Sequence, residues 1–183
     1  MNSDWLDLVM LFCTQKFTWI PLYILLFYWL CRLLKFNWKY IAIVAVFVAL
    51  AITLSDQLSV HLFKNVFLRF RPCHNADIAH LVHVVGKCGG AYGFVSSHAA
   101  NTFAIATFLS LIALEFSYKK KKLFVVGIFS WALLVSYSRI YCGVHYPLDI
   151  VGGAILGSGI AIVVVSLLKR ATQNNTSLFN KNF

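Results

Sequence analysis

Asp149-Ile-Val-Gly-Gly-Ala-Ile-Leu-Gly-Ser-Gly-Ile-Ala-Ile-Val-Val-Val-Ser-Leu-Leu168 carries no charge after its first residue. A helix needs about 20 mainly apolar residues to cross a bilayer, and this run supplies them. Four more apolar runs lie at about 17–34, 38–63, 96–116 and 123–137. Trp19, Tyr28 and Trp29 stand near the ends of the first of these, at the depth aromatic residues favour. The apolar stretch within 1–16 is too short to span and reads as an interfacial amphipathic helix. The expected fold is therefore all-α. It is a single membrane-embedded domain over 1–183 with about five transmembrane helices, the interfacial helix, a long outer loop at 72–94 and a flexible cytoplasmic tail at 171–183. Gly153-Ala-Ile-Leu-Gly157 sets small residues four apart, a packing signal that serves equally inside a bundle or between two copies.

Composition points the same way. Of 183 residues, 60% are hydrophobic and 12% charged, against about 25% charged in soluble domains, and the mean hydropathy is +0.77. The length suits one compact unit, without internal repeats or low-complexity blocks. A net charge of +10 in a soluble chain would suggest nucleic acid. Here most basic residues sit in short loops between apolar runs, so the charge reads as topology and no nucleic-acid partner is expected. Arg32, Lys35, Lys39, Lys119 to Lys122, Lys169 and Arg170 mark one side, which the positive-inside rule makes cytoplasmic. Lys64, Arg69, Arg71, Lys87 and Arg139 fall on the other side, against that trend, and need another explanation. Asp4 and Asp7 stand where a cleavable signal peptide would be basic, so none is expected.

Three clusters lie at the outer ends of different runs. The first is Lys64-Asn-Val-Phe-Leu-Arg-Phe-Arg71-Pro72. If the second span continues as helix, Lys64 and Arg71 share a face, and Pro72 marks the exit. The bland alternative is that both cations snorkel to headgroups. The second cluster is Ser96-Ser97-His98, with Ser96 as an N-cap and a helix N-terminus suited to phosphate. The third is Ser138-Arg139-Ile-Tyr-Cys-Gly-Val-His145-Tyr-Pro-Leu-Asp149. A carboxylate accepting from Nδ1 of His145 would leave Nε2 as a free nucleophile, and Arg139 offers a planar fork for phosphate oxygens. An Asp–His pair satisfying itself in an apolar wall explains two of these residues but not the arginine.

Together, Lys-x6-Arg-Pro at 64–72, Ser-x-His at 96–98 and Ser-Arg-x5-His-x3-Asp at 138–149 resemble the tripartite signature of the type 2 phosphatidic acid phosphatase (PAP2) superfamily, which also contains bacterial acid phosphatases and vanadium haloperoxidases. The resemblance implies a PAP2/haloperoxidase-like core and metal-free hydrolysis without a cofactor, the cations coming from side chains. It implies that His145 attacks phosphorus to form a phosphohistidine, Asp149 orients it, and His98 is the general acid. Lys64, Arg71, Ser96 and Arg139 would hold the non-bridging oxygens, with the backbone of Ser97 helping. One departure stands out: the family's usual Pro-Ser-Gly-His is Val95-Ser96-Ser97-His98 here. The implied substrate is a phosphorylated membrane lipid: undecaprenyl pyrophosphate and lipid A phosphate ranked level, then phosphatidylglycerol phosphate. The implied setting is a bacterial inner membrane, crossed several times, with the site facing outward. A lipid or anion transporter and a catalytically inactive family member are the competing readings. The sequence leaves oligomeric state open.

The outer loop holds Cys73, His74, His80, His83 and Cys88. A zinc site among them is one alternative, although their spacing matches no standard pair of zinc hooks. A Cys73–Cys88 disulfide suits an oxidising compartment, and free thiols are the alternative. The apolar residues between Ile78 and Val85 suggest a short surface helix acting as a lid. His80 and His83 are either contacts for a second phosphate or a solvated face. Asp56 lies within a span, where a carboxylate is costly and needs a partner.

Overall fold

The structure, a computed structural model, describes residues 3–116 and 118–173. It contains α1 (Asp4–Thr14), a 3-10 turn (Phe17–Trp19), α2 (Ile20–Leu33), α3 (Trp38–Leu58), a π-helical turn (Ser59–Lys64), the single turn α4 (Asn65–Phe67), α5 (Ser97–Glu115), α6 (Lys121–Tyr141) and α7 (Pro147–Gln173). The all-α architecture agrees with the sequence. Four helical segments are long and apolar enough to cross a membrane. A fifth arises only if α1 and Phe17–Leu33, bent by 73° to each other, count as one broken span. The expected first span is thus shorter than the rest. α7 continues through Gln173, beyond the expected start of the tail, and residues 174–183 of that tail lie outside the described residues.

α5 is enclosed by the other spans because its surface is small on most sides. Ala99, Ala100, Ala104, Ala106 and Ala113 are fully buried along it. Without a large hydrophobic gain between helices in lipid, close backbone approach is what draws helices together. α7 exploits this. A Cβ added at Gly153 would lie 2.5 Å from the Ser96 carbonyl oxygen, and one added at Gly157 would overlap the Ala100 carbonyl. Thr107 donates to Ser158 on the same seam at 3.1 Å. The two glycines therefore meet α5 inside the bundle. Large apolar side chains such as Ile24, Val46, Leu123, Val126 and Ile155 point outward, as a lipid-facing surface requires.

The two ends of the bundle differ. At one, Lys169 pairs with Glu115, and Trp29 stacks on Phe124 with centroids 4.2 Å apart. At the other, α3 departs from the expected straight helix. Ser59 Oγ donates to the Asp56 carbonyl at 2.7 Å, competing with the backbone ladder where the helix widens. The helix then ends at Phe67, with Leu68 in the left-handed region (φ 47°). Lys64 and Arg71 therefore do not share a helix face, and Pro72 lies beyond the exit. Residues 69–71 instead form a strap: Gly93 N–H donates to the Arg69 carbonyl at 2.9 Å and Arg71 N–H to the Ala91 carbonyl at 3.0 Å.

The outer loop closes this end. Cys73 and Cys88 are disulfide-bonded with Cα atoms 6.2 Å apart; the zinc and free-thiol alternatives both need those sulfurs unbonded. The expected lid helix is a single 3-10 turn, Ala79–Leu81. His83 Nε2 lies 2.8 Å from Asp7 Oδ2, and the Tyr141 hydroxyl donates to Asp7 Oδ1 at 2.7 Å. His83 thus pins α1 to the loop and is engaged away from any substrate phosphate.

Placing Val at Gly157 forces α7 off the α5 backbone, a core-overpacking change of about 3 kcal/mol. The expected outcome is a Tm in detergent lower by ~5–10 °C, measured by thermal unfolding. A variant that melts with the wild type would contradict the close approach.

Candidate active site

The third cluster is organised by one turn. α6 runs on to Tyr141, so Arg139 stands in its last turn rather than in a loop. The chain then reverses through Gly143, whose φ of +70° suits glycine and whose added Cβ would come within 2.9 Å of the His83 carbonyl. Pro147 starts α7, as its fixed φ and missing N–H allow. The result places His145 just before α7 and Asp149 in its first turn.

His145 and Asp149 are both almost wholly buried. His145 Nδ1 lies 3.2 Å from Asp149 Oδ2, and Nε2 lies 3.3 Å from Arg71 Nη1. Guanidinium only donates and carboxylate only accepts. The network therefore assigns the imidazole proton to Nδ1 and leaves a lone pair on Nε2. Burial pulls the His145 pKa down to about 4, with the Asp149 hydrogen bond opposing it. The ring is neutral at neutral pH, as a nucleophile must be.

Asp149 is held from three directions. Tyr146 N–H donates to Oδ2 at 2.9 Å, beside His145, while Arg69 Nη1 donates to Oδ1 at 3.2 Å. The Arg69 guanidinium also covers the Tyr146 ring at 4.3 Å from its centroid. Sequence reasoning counts Arg69 only among the outward basic residues; its contact with Asp149, 80 positions away, has no local signal. The second cluster is tied to the same point, because Ser96 N–H donates to the Asp149 backbone carbonyl at 2.9 Å.

Lys64 turns inward rather than snorkelling. Its Nζ donates to Ser97 Oγ at 2.6 Å, and Ser97 Oγ lies 2.6 Å from Ser59 Oγ. Arg139 Nη1 donates to Thr14 on α1. Lys64, Arg71, Ser97, His98, Arg139 and His145 line one cavity of about 800 Å³. The structure thus brings together residues from all three clusters. Ser96 is set apart: it is fully buried, its hydroxyl faces the Ala99 N–H at 3.5 Å, and it does not line that cavity. Its observed part is the helix cap. The Ser97 hydroxyl, where the family pattern has glycine, faces the cavity instead.

A polytopic helical bundle with three cations and an Asp-backed neutral histidine around one opening is a membrane protein with a cationic cavity at one end. Comparison with known proteins agrees. The family model for the PAP2 superfamily matches residues 45–173. The chain is 38% identical to a lipid A 4'-phosphatase of Bacteroides thetaiotaomicron, over 86% of this chain and 67% of that protein. It is 37% identical to a lipid A 4'-phosphatase of Porphyromonas gingivalis, over 79% of this chain and 58% of that protein. Its fold matches a crystal structure of a transmembrane PAP2-type phosphatidylglycerolphosphate phosphatase from Bacillus subtilis, with a TM-score of 0.70 and 23% identity, covering 93% and 80% of the two chains. The chain belongs to the PAP2 superfamily. It spans 58% to 67% of the length of the two lipid A phosphatases.

The lowered pKa of His145 has a definite sign in stability. The unfolded side chain protonates near 6.5 and the folded one near about 4. Between these values the unfolded state takes up a proton that the folded state refuses. Stability from this group is fully present above 6.5 and is lost as pH falls through about 4. The Tm of wild type should therefore fall more steeply over that window than the Tm of His145→Gln. Parallel pH–Tm curves would contradict the buried neutral ring.

Proposed function

We propose that this protein hydrolyses the phosphate ester of a membrane lipid through a phosphohistidine, and that lipid A 4'-phosphate is the leading substrate. The observation carrying the reaction is the fixed tautomer of His145, with Nδ1 on Asp149 and a lone pair on Nε2. Substrate phosphate would draw Arg71 from Nε2 onto its own oxygens. Nε2 then attacks phosphorus as the phosphorus–oxygen bond to the lipid breaks, and His98, entering the step as the imidazolium beside the substrate's negative charge, gives its proton to the departing oxygen and is left neutral. Water, deprotonated by His98, cleaves the phosphohistidine and releases inorganic phosphate. Arg71, Arg139 and Lys64 spread their charge over the equatorial oxygens, the positioning and cationic clamping on which phosphoryl transfer rests. Asp149 stabilises the imidazolium that forms on phosphorylation. The lipid A assignment is supported by the two relatives that share over a third of their aligned residues with this chain. The charge bias of the loops supports an inner-membrane location with the site facing outward.

Purified protein should release phosphate from lipid A, with undecaprenyl pyrophosphate and phosphatidylglycerol phosphate as comparison substrates. His145→Ala should lower kcat by roughly 10³-fold or more, as loss of a catalytic nucleophile does. Wild-type activity should persist in chelator. Turnover that survives His145→Ala, or that chelator abolishes, would overturn the mechanism.

Arg69 is assigned a positioning part, through Asp149. Loss of one charge-assisted hydrogen bond to a buried carboxylate should lower kcat by about 10-fold in Arg69→Ala. KM should change little, because Arg69 is not among the cavity-lining residues. A rise in KM at unchanged kcat would instead make Arg69 a substrate contact.

A further inference from the structure

Below the cluster of cations the cavity continues between α2, α3 and α5 toward Leu30, Ala45 and Leu109. Its deep walls are mainly apolar, as an acyl chain requires. Asp56 on α3 and Asn101 on α5 break that pattern. Both line the cavity, and Asn101 Nδ2 donates to Asp56 Oδ1 at 3.2 Å. This is the carboxylate's one side-chain hydrogen-bond partner among the described residues. Asn101 Oδ1 has none at all among them, so its amide is tethered by that single bond. A carboxylate accepts at two oxygens and donates nothing, and within a membrane such a group is costly unless donors reach it. The proposed mechanism uses neither residue. Asn101 follows His98 by three positions, about 4.5 Å farther along the helix axis. The pair therefore lines the same cavity as His98, about one helical turn farther along α5.

We propose that Asp56 and Asn101 form a subsite for hydrogen-bond donors on the alcohol that carries the phosphate. The hydroxyl and amide N–H groups of a phosphorylated, N-acylated amino-sugar lipid supply such donors. A polyprenyl phosphate has none at that distance and would leave the carboxylate facing hydrocarbon. The subsite makes the cavity selective for the sugar lipid. This rests on the lipid-phosphatase reading of the same site and names what it selects.

The test uses the full chain, purified, with lipid A and undecaprenyl phosphate as substrates and released phosphate as the readout. The quantity read is the ratio of kcat/KM for the two. Asp56→Leu and Asn101→Leu should each lower that ratio about tenfold, the effect of losing a buried hydrogen bond to a charged group. The isosteric Asp56→Asn, the variant least disruptive to folding, should shift the ratio in the same direction by less. Equal losses on both substrates would make Asp56 a counter-ion of Lys64 and overturn the subsite. A ratio within twofold of wild type in all three variants would overturn it too. Wild-type protein that cleaves undecaprenyl phosphate and not lipid A removes the selectivity while leaving the phosphatase reading intact. Release from neither lipid overturns the subsite, and if phosphatidylglycerol phosphate is also left uncleaved the phosphatase reading falls with it.

Discussion

A carboxylate that is only 1% exposed at the mouth of a membrane bundle persists because donors converge on it, and Asp149 gathers them from two separate parts of the chain. Tyr146 N–H and His145 Nδ1 reach one oxygen, and Arg69 reaches the other. The Asp149 backbone carbonyl meanwhile accepts from Ser96 N–H, which fixes where α5 begins relative to α7. One residue thus sets the imidazole tautomer, the approach of the strap at 69–71 and the start of the central helix. Removing its side-chain oxygens would leave Arg69 and the histidine proton without their acceptor, a larger loss than any single bond.

The membrane shapes how the cations are delivered. Lys64 comes from a helix that widens at Ser59–Lys64, and π-type irregularities recur at functional sites. There the Ser59 hydroxyl meets the Ser97 hydroxyl, which accepts from Lys64. Glycine in place of Ser97 would remove that acceptor. The hydroxyl holds the ammonium at the cavity wall, so this chain anchors its lysine by a contact that the family pattern does not supply. Arg139 is anchored through α1, which Asp7 ties to both α6 and the outer loop. The amphipathic N-terminal helix is therefore part of the wall of the site.

Much of the site was legible because its chemistry is written in short clusters. Ser97-His98 and His145-x3-Asp149 carry their geometry locally, since a helix start and a turn into a helix place these side chains within a few residues of each other. Lys64 and Arg71 were legible as residue types but not as geometry. The expectation of one continuous helix failed because Leu68 adopts a left-handed conformation and the strap pairs with residues 91–93. The lid helix failed for a related reason. The segment around Ala79–Leu81 is constrained by the disulfide and the His83–Asp7 contact, and forms only a single turn.

What the sequence by itself determined is the solvent and the chemistry: lengths of apolar run that only a bilayer suits, and three clusters whose residue types match a phosphate. These follow from composition and from spacings of a few residues, where backbone geometry is nearly fixed by local rules. What only the tertiary structure decided is which distant groups share an oxygen. Arg69 on Asp149, Thr14 on Arg139 and Asn101 on Asp56 join residues 45 to 125 positions apart. No periodicity encodes such contacts, because they depend on how closely α5 and α7 approach and on where α3 breaks.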